Sequence, residues 1–404
     1  GHPNILTFDM GGTSTDVALC ENGEPTIGRD TTIGQFRLKV PSINVHTVGA
    51  GGGSIAHVPE LTKALRVGPQ SAGAEPGPAA YGKGGTEPTV TDANVVVGHL
   101  PPRLLGGEMT LDVEGSTKAV AKIGEAIGLD TEAAAEGMLA IVNENMAGAL
   151  RLVSVQRGYD PRDFALVAFG GAGPLHANAV AELMGSFPVI VPPSPGLLCA
   201  IGDLVAEFRN EFAQTIVTPI EDVKPEDVAS VLEDLGTRTR DWMTSEGIDE
   251  SGQRITYLAD MRYVLQGYEI SVPVNMDDVK AGKLDGLGAT FDAMHEQLYG
   301  FKMDDAKQEI VNLRCIGNGA VPTMNFPSAT PSANDGSNAI VEDHEVVFQG
   351  KRIPTKIYDR AKMTPGAKFD GPAIVTEFDS TTVVLPGYVA EMDEFYNILI
   401  NPKA

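Results

Sequence analysis

The ten residues from Phe8 to Val17 read Phe-Asp-Met-Gly-Gly-Thr-Ser-Thr-Asp-Val and leave little freedom in how they fold. An apolar run, Ile5-Leu6-Thr7-Phe8, delivers Asp9 to a turn at Gly11 and Gly12. A second β-like run from Val17 to Cys20 follows and ends at Asn22-Gly23. The pattern predicts strand, glycine turn, strand. Without a Cβ, the turn's backbone can leave the usual regions and bring main-chain N–H groups close to another molecule. Successive N–H groups in such a turn form a concavity that favours anions. Thr13, Ser14 and Thr15 add hydroxyls, and Asp9 and Asp16 bracket the turn with carboxylates. Gly-Gly alone suits any hairpin. With the carboxylate before it and the hydroxyls after it, the segment reads as a phosphate clasp. Asp9 then stands where the water shell of a nucleotide's Mg²⁺ would lie. There is no G-x-x-x-x-G-K-[ST], and no helix opens after the turn, so this is neither a Walker loop nor a dinucleotide fingerprint.

The rest of the chain narrows the partners. Its 404 residues allow two or three domains. With 30 Lys and Arg against 54 Asp and Glu, the formal net charge is −24, which repels nucleic acid and anionic lipid. Neither nucleic acid nor membrane is expected as a partner, and a nucleotide would need backbone dipoles and metal to offset the charge locally. Cys20, Cys199 and Cys315 are far apart and form no C-x-x-C, which argues against a zinc knuckle or a disulfide framework. No 18-residue apolar run and no leader pattern occur, so a cytoplasmic location is expected.

Four regions are expected: 1–218, 219–326 of mixed α and β texture, a linker-like 327–338 rich in Pro, Ser and Ala, and a β-rich 339–404. Within the first, Gly51, Gly52 and Gly53 sit in a second glycine loop between Val48 and Ile55. Such a loop suggests backbone approaching either a ligand or another loop. Residues 67–78 are too rich in Gly and Pro for regular structure and predict an ordered surface loop. Asp92 suits a helix cap. A long helix is predicted from Thr131 through Met138, Ile141 and Leu150 to near Gly158; Asn143 and Asn145 in it read most simply as facing solvent, with a partner or site as the alternative. A buried strand from Phe164 to Phe169 then breaks at Gly170-Gly171-Ala172-Gly173-Pro174, and a helix runs from Leu175 to Leu183. A strand, a glycine turn and a helix N-terminus suit a nucleotide's ribose or base edge, although a plain βα corner reads the same way. His176 reads as a structural hydrogen bonder.

The order of these elements, a D-x-G-G-T hairpin, a glycine loop and a strand-Gly-Gly-helix corner, resembles the second lobe of the actin-like ATPase (ribonuclease-H-like) fold, an α/β architecture. The motifs are similar to those of the hydantoinase A/oxoprolinase family: the segments 8–17, 48–54, 68–74, 88–94, 158–162 and 169–176, and more loosely 260–263, 311–314 and 371–374. That family includes ATP-dependent N-methylhydantoinases, 5-oxoprolinases and the ATP-binding subunits of acetone-type carboxylases. The resemblance implies ATP and Mg²⁺ as cofactors. Gly11, Gly12, Thr13, Ser14 and Thr15 would hold phosphate, and Asp9 would hold the Mg²⁺ shell through water. Asp16 would orient a water or the hydroxyls, Gly51 to Gly53 would approach the ligand, and Gly170, Gly171, Ala172 and Gly173 would seat adenosine. It implies γ-phosphoryl transfer to the oxygen of a small cyclic amide, which water then opens; the alternatives are a carboxylase subunit or a non-catalytic assembly module. The family carries an earlier D-x-G-G-T hairpin that this sequence lacks. A missing N-terminal ATPase lobe and a hydantoinase B-type subunit or domain are therefore the expected partners. Alone, these residues are expected to bind ATP weakly and to be inactive.

Overall fold

A computed structural model describes residues 1–28, 31–33, 36–38, 42–320 and 325–403. They form two compact units, Gly1–Ile201 with Phe326–Ala404, and Gly202–Asn325.

The first unit is built on a mixed sheet. Its centre is β1 (Ile5–Met10) and β2 (Thr15–Glu21), an antiparallel hairpin. Strict alternation in β1 sends Leu6, Phe8 and Met10 into the core at 0% exposure and leaves Thr7 and Asp9 on the opposite face. Each such buried side chain contributes about 1.5–3 kcal/mol of hydrophobic free energy. Beside β2 lies β3 (His46–Val48); beside β1 lies β4 (Ala165–Phe169), in parallel, with Asp9 opposite Phe169. Then come β5 (Val189–Val191), parallel to β4, and Ile398–Pro402, Tyr388–Met392 and Lys368–Asp370. A hairpin joined edgewise to parallel strands is the sheet of an actin-like ATPase lobe.

Helices cover the sheet. α1 (Val90–Val96) opens on a capping box: the Thr89 hydroxyl accepts from the Asp92 amide, and Asp92 accepts from the Thr89 amide at 3.0 Å. Asp92 is thus the third residue of the helix rather than its N-cap. Its carboxylate also accepts from the Ala80 amide at 2.7 Å and the Ser116 hydroxyl at 2.8 Å. α2 (Val113–Ile127) starts at an Asp112 cap and stops at Gly128, whose φ of 74° ends the helix left-handed. α3 (Thr131–Val153) buries Ala135, Met138, Val142, Met146, Leu150 and Val153, a spacing of three and four that lays one stripe against the core. α4 (Gly173–Met184) follows β4 directly.

Strand Phe208–Pro219 pairs along its length with Gln308–Gly319, so its residues fold with the second unit and the division falls near 201 rather than 218. The segment 339–404 supplies strands to the main sheet of the first unit. The linker-like residues are tied down: the Ala329 amide donates to Glu394 O, Ser332 to Pro365 O, and Lys368 to Asn334 O, each within 3.0 Å.

In the second unit the strand order is Phe208–Pro219, Gln308–Gly319, Gln253–Tyr263, Ile270–Val274. Helix Pro225–Ser245 packs Val228, Leu232 and Leu235 into a core with Leu313, Cys315, Ala259 and Met261. The motif strings at 260 and 311 meet here. Asp260 stands opposite Asn312, accepts from Arg314 at 3.1 Å, and Arg314 also grips Glu211 through two nitrogens. Burial alone would disfavour these charges, so pairing is what makes them tolerable. None of the described helices is long and apolar enough to cross a membrane.

Candidate functional site

The β1–β2 turn closes with the Gly11 amide donating to Ser14 O at 3.1 Å. Gly12 and Thr13 are exposed at its tip, Gly11 and Ser14 are half-buried, and Gly12 has open space around it. Asp9 and Asp16 are directly paired across the ladder and both remain half-exposed. Two like charges in that register repel unless a cation or donors sit between them. The Asp16 carboxylate takes the Thr47 hydroxyl at 2.5 Å, and Asp9 takes the Cys199 thiol at 3.1 Å. Two half-exposed carboxylates side by side are a donor set that suits a Mg²⁺ keeping most of its waters. No cluster of three or more His, Cys, Asp or Glu among the described residues would form an all-protein metal cage.

Thr15 does not reach this rim. It is fully buried, its hydroxyl donates to Ala50 O at 2.6 Å, and it touches Met146 Sδ at 3.2 Å. Period two in β2 turns Thr15 to the face opposite Asp16. Of the three hydroxyls expected at the turn, only those of Thr13 and Ser14 stay at it, half-buried at Ser14 and exposed at Thr13.

The second glycine loop meets the hairpin rather than open space. Gly52 N donates to Gly11 O at 3.0 Å and Gly53 N to Gly12 O at 2.6 Å. Gly51, Gly52 and Gly53 are all buried. A Cβ at Gly51 would lie 2.6 Å from the backbone of Thr13, and one at Gly53 2.9 Å from Gly12 O. These glycines therefore let one loop lie flat beneath the other and hold its shape. Thr91 at the start of α1 in turn donates its amide and hydroxyl to Gly52 O at 2.8 and 2.9 Å. A chain of hydrogen bonds runs from the Asp92-anchored helix through the second loop to the tip of the first.

The corner after β4 opens beside the hairpin. Gly170 has a φ of 79°, and a Cβ there would run into Asp9 Oδ1 and lie 2.5 Å from Met10 O. Only glycine fits both demands. Ala172 N donates to Met10 O at 2.9 Å, and Gly170 N to Pro195 O at 2.9 Å. Gly171 is exposed, Gly170 and Ala172 are half-buried, and Gly173 is buried beneath Phe8 O. α4 begins without a side-chain cap, so its positive end faces the corner. Hairpin and corner thus sit at the carboxyl ends of two adjacent strands, the usual place for a ligand on an open α/β sheet.

His176 is buried in α4 and spans two asparagines. Its Nδ1 lies 2.8 Å from Asn143 Oδ1, and its Nε2 lies 3.1 Å from Asn94 Nδ2. One nitrogen donates and the other accepts, which fixes a neutral ring. Burial holds its pKa at about 3, far below the usual 6.5. Asn143 therefore points inward to α4, not to solvent. Cys199 and the turn at Asp379 and Ser380 were missed from sequence. The Ser380 hydroxyl donates to Gly171 O at 3.3 Å, and Asp379 O lies 2.9 Å from a Cβ at Gly196. Nothing local announces residues that arrive from the far end of the chain.

Comparison with known proteins follows this geometry. A family model described as Hydantoinase/oxoprolinase matches residues 1–212, and one described as Hydantoinase/oxoprolinase C-terminal domain matches 221–400. The chain is similar to caprolactamase subunit alpha of Pseudomonas jessenii, 36% identical over 97% of this chain and 57% of that protein. It is similar in structure to the ATP-dependent caprolactamase of the same organism, with a TM-score of 0.83 and 33% identity over 100% of this chain and 59% of the other. The nucleotide-free structure of acetone carboxylase gives a TM-score of 0.85 at 25% identity over 100% of this chain and 59% of the other. The chain therefore spans little more than half the length of these relatives.

Proposed function

Because this chain belongs to the hydantoinase/oxoprolinase family, we propose that it forms the nucleotide-gripping part of an enzyme that spends ATP to open a small cyclic amide. The ring is of the hydantoin or 5-oxoproline type. The observation that carries the reading is the contact of Gly170 with Asp9 and Met10, which sets the phosphate hairpin and the glycine corner side by side on one sheet edge. The turn and an uncapped helix start are thereby brought to the same sheet edge.

An amide carbon is a poor electrophile at neutral pH. Transfer of the γ-phosphoryl group to the amide oxygen breaks the bond between that phosphorus and the β–γ bridging oxygen, which leaves with ADP. Water then adds at the imidate carbon, the tetrahedral adduct expels the protonated ring nitrogen so that the C–N bond breaks and an acyl phosphate is left, and a second water releases phosphate and the open-chain carboxylate. Phosphoryl transfer depends chiefly on positioning and charge neutralisation. The amides of residues 12–14 and the hydroxyls of Thr13 and Ser14 would contact the phosphates, while the Gly11 amide closes the turn onto Ser14 O. Asp9 and Asp16 would hold Mg²⁺ through water and orient a water or hydroxyl, and the ion would neutralise phosphate charge when bound. Gly170, Gly171 and Ala172 would border the nucleoside, with Gly173 beneath. The opposing phosphate hairpin is supplied by a second ATPase lobe outside these residues, and a hydantoinase B-type subunit or domain completes hydrolysis. A cytoplasmic location, where ATP is at hand, belongs to the same reading.

The likeness to acetone carboxylase favours a second reading, in which the same grip phosphorylates a carboxylation substrate. Phosphate release by the assembled full-length protein, with hydantoin, 5-oxoproline, acetone or bicarbonate, separates the two. Stimulation by a cyclic amide, abolished in Asp9→Ala, is the expected result. Equal ATP turnover in the wild type and Asp9→Ala would refute the proposal.

A further inference from the structure

Behind the glycine corner lies a small chamber that the proposed reaction does not use. It measures about 40 Å³, and its polar wall is Asn94, His99, Asn143, His176 and Asn178. Two atoms of that wall have no hydrogen-bond partner, His99 Nε2 and Asn178 Nδ2. Asn178 is 1% exposed, and its Oδ1 accepts from the Leu385 amide at 2.9 Å. Turning the amide over would set NH₂ against N–H, so its orientation is fixed and Nδ2 is a donor. His99 bonds the backbone of Val347. With Nε2 unpartnered, that bond is Nδ1–H donating to the Val347 carbonyl, and Nε2 is a bare acceptor. His176 is already engaged on both sides by Asn143 and Asn94.

The chamber thus offers one donor and one acceptor and no charge. An apolar occupant would leave both unmade, which buried polar groups rarely tolerate. A metal cation would face the amide hydrogens, and an anion would face the ring lone pair. We propose that the chamber is a built water site, in which one molecule accepts from Asn178 Nδ2 and donates to His99 Nε2. At roughly 15 Å³ each, two or three waters fit. They tie α4, which leaves the Gly170 corner, to the segment after α1, where the His99 ring also rests on Phe348 at 4.7 Å. This inference is independent of the nucleotide reading.

High-resolution crystals of the full-length protein test it. The expected result is a solvent peak within about 3.2 Å of both atoms and no xenon in the chamber when the crystal is pressurised. An empty chamber, or one that takes up xenon, overturns the proposal. Ala179 also lines the chamber, so Ala179→Val and Ala179→Thr form a matched pair of nearly the same shape. Both displace water, and only threonine returns a hydroxyl to the stranded atoms. Ala179→Thr should melt above Ala179→Val. The reverse order marks a dry chamber and overturns the proposal.

Discussion

Replacing Gly51 by alanine tests how the hairpin is held. A Cβ at this position would lie 2.6 Å from both N and C of Thr13 and 2.7 Å from the Gly12 carbonyl carbon. Ordinary contact begins near 3.4 Å, so one loop must retreat by about 0.8 Å. The obstacle is backbone, which has no rotamer to give. The Gly52–Gly11 and Gly53–Gly12 hydrogen bonds stretch as the loops separate. Forcing a methyl into a full space costs about 1–3 kcal/mol. For a domain of this size that corresponds to a fall in Tm of roughly 4–8 °C at 2 kcal/mol. A displacement near 1 Å of a phosphate-holding turn also costs function; at least a tenfold loss of nucleotide affinity is expected, since misplacements of this order cost up to about 100-fold in rate. Gly12→Ala is the control. Its Cβ meets nothing within 4 Å and it stands exposed on the rim. Its stability should stay within about 0.5 kcal/mol of wild type while nucleotide affinity falls. Thermal melts and titration with a fluorescent ATP analogue on the full-length protein measure both. A Gly51→Ala protein with wild-type Tm and wild-type affinity would refute the account of the second loop as a support.

Three further outcomes are expected. His176 and His99 are held neutral by burial, with pKa values of about 3 and about 4. Unfolded, each titrates near 6.5, so the stability they confer is complete above that pH and is lost as pH falls from 6.5 towards 4. The slope is up to about 1.4 kcal/mol per pH unit for each ring, so Tm measured between pH 7 and 5 should drop, and a flat profile would contradict their burial as neutral rings. Arg360 and Glu377 form a buried pair at 2.6 Å, and Arg360 also donates to Val191 O and Tyr396 O. Arg360→Met should cost about 3–5 kcal/mol in urea unfolding by stranding the carboxylate, and adding Glu377→Gln should restore part of it. Asp92→Ala removes acceptors from the Ala80 and Thr89 amides and the Ser116 hydroxyl. It should cost more than the roughly 1 kcal/mol of a lone cap, and an unchanged melt would show that the box is not what fixes α1.

What the sequence discloses here is what short-range patterning can encode. The alternation of Leu6, Phe8 and Met10 with Thr7 and Asp9, followed by two glycines, is sufficient to predict β1, the turn and the placing of Asp9. The three-and-four spacing of Ala135, Met138, Val142 and Met146 announces α3 for the same reason. The capping of α1 is visible in Thr89 and Asp92, although the exact position within the cap depends on which residue starts the helix. Thr15 illustrates the limit. Its neighbours are hydroxyls on the rim, yet one step of strand period carries it inside to Ala50 and Met146. Gly51 to Gly53 admit two readings from sequence, ligand or loop, and tertiary contact decides for the loop. Ile398–Pro402 carries no signal that it will pair with Val189–Val191, because that partner lies more than half the chain away and strand propensity does not name partners. Cys199 reaches Asp9, and Ser380 reaches Gly171, for the same non-local reason.

The most direct test of the hairpin's role is a crystal structure of the full-length protein soaked with Mg²⁺ and a nonhydrolysable ATP analogue. The account predicts phosphate oxygens about 3 Å from the amides of residues 12–14, with the nucleoside lying towards Gly171. Triphosphate density bound elsewhere, with the turn at Gly11 and Gly12 left bare, would contradict it.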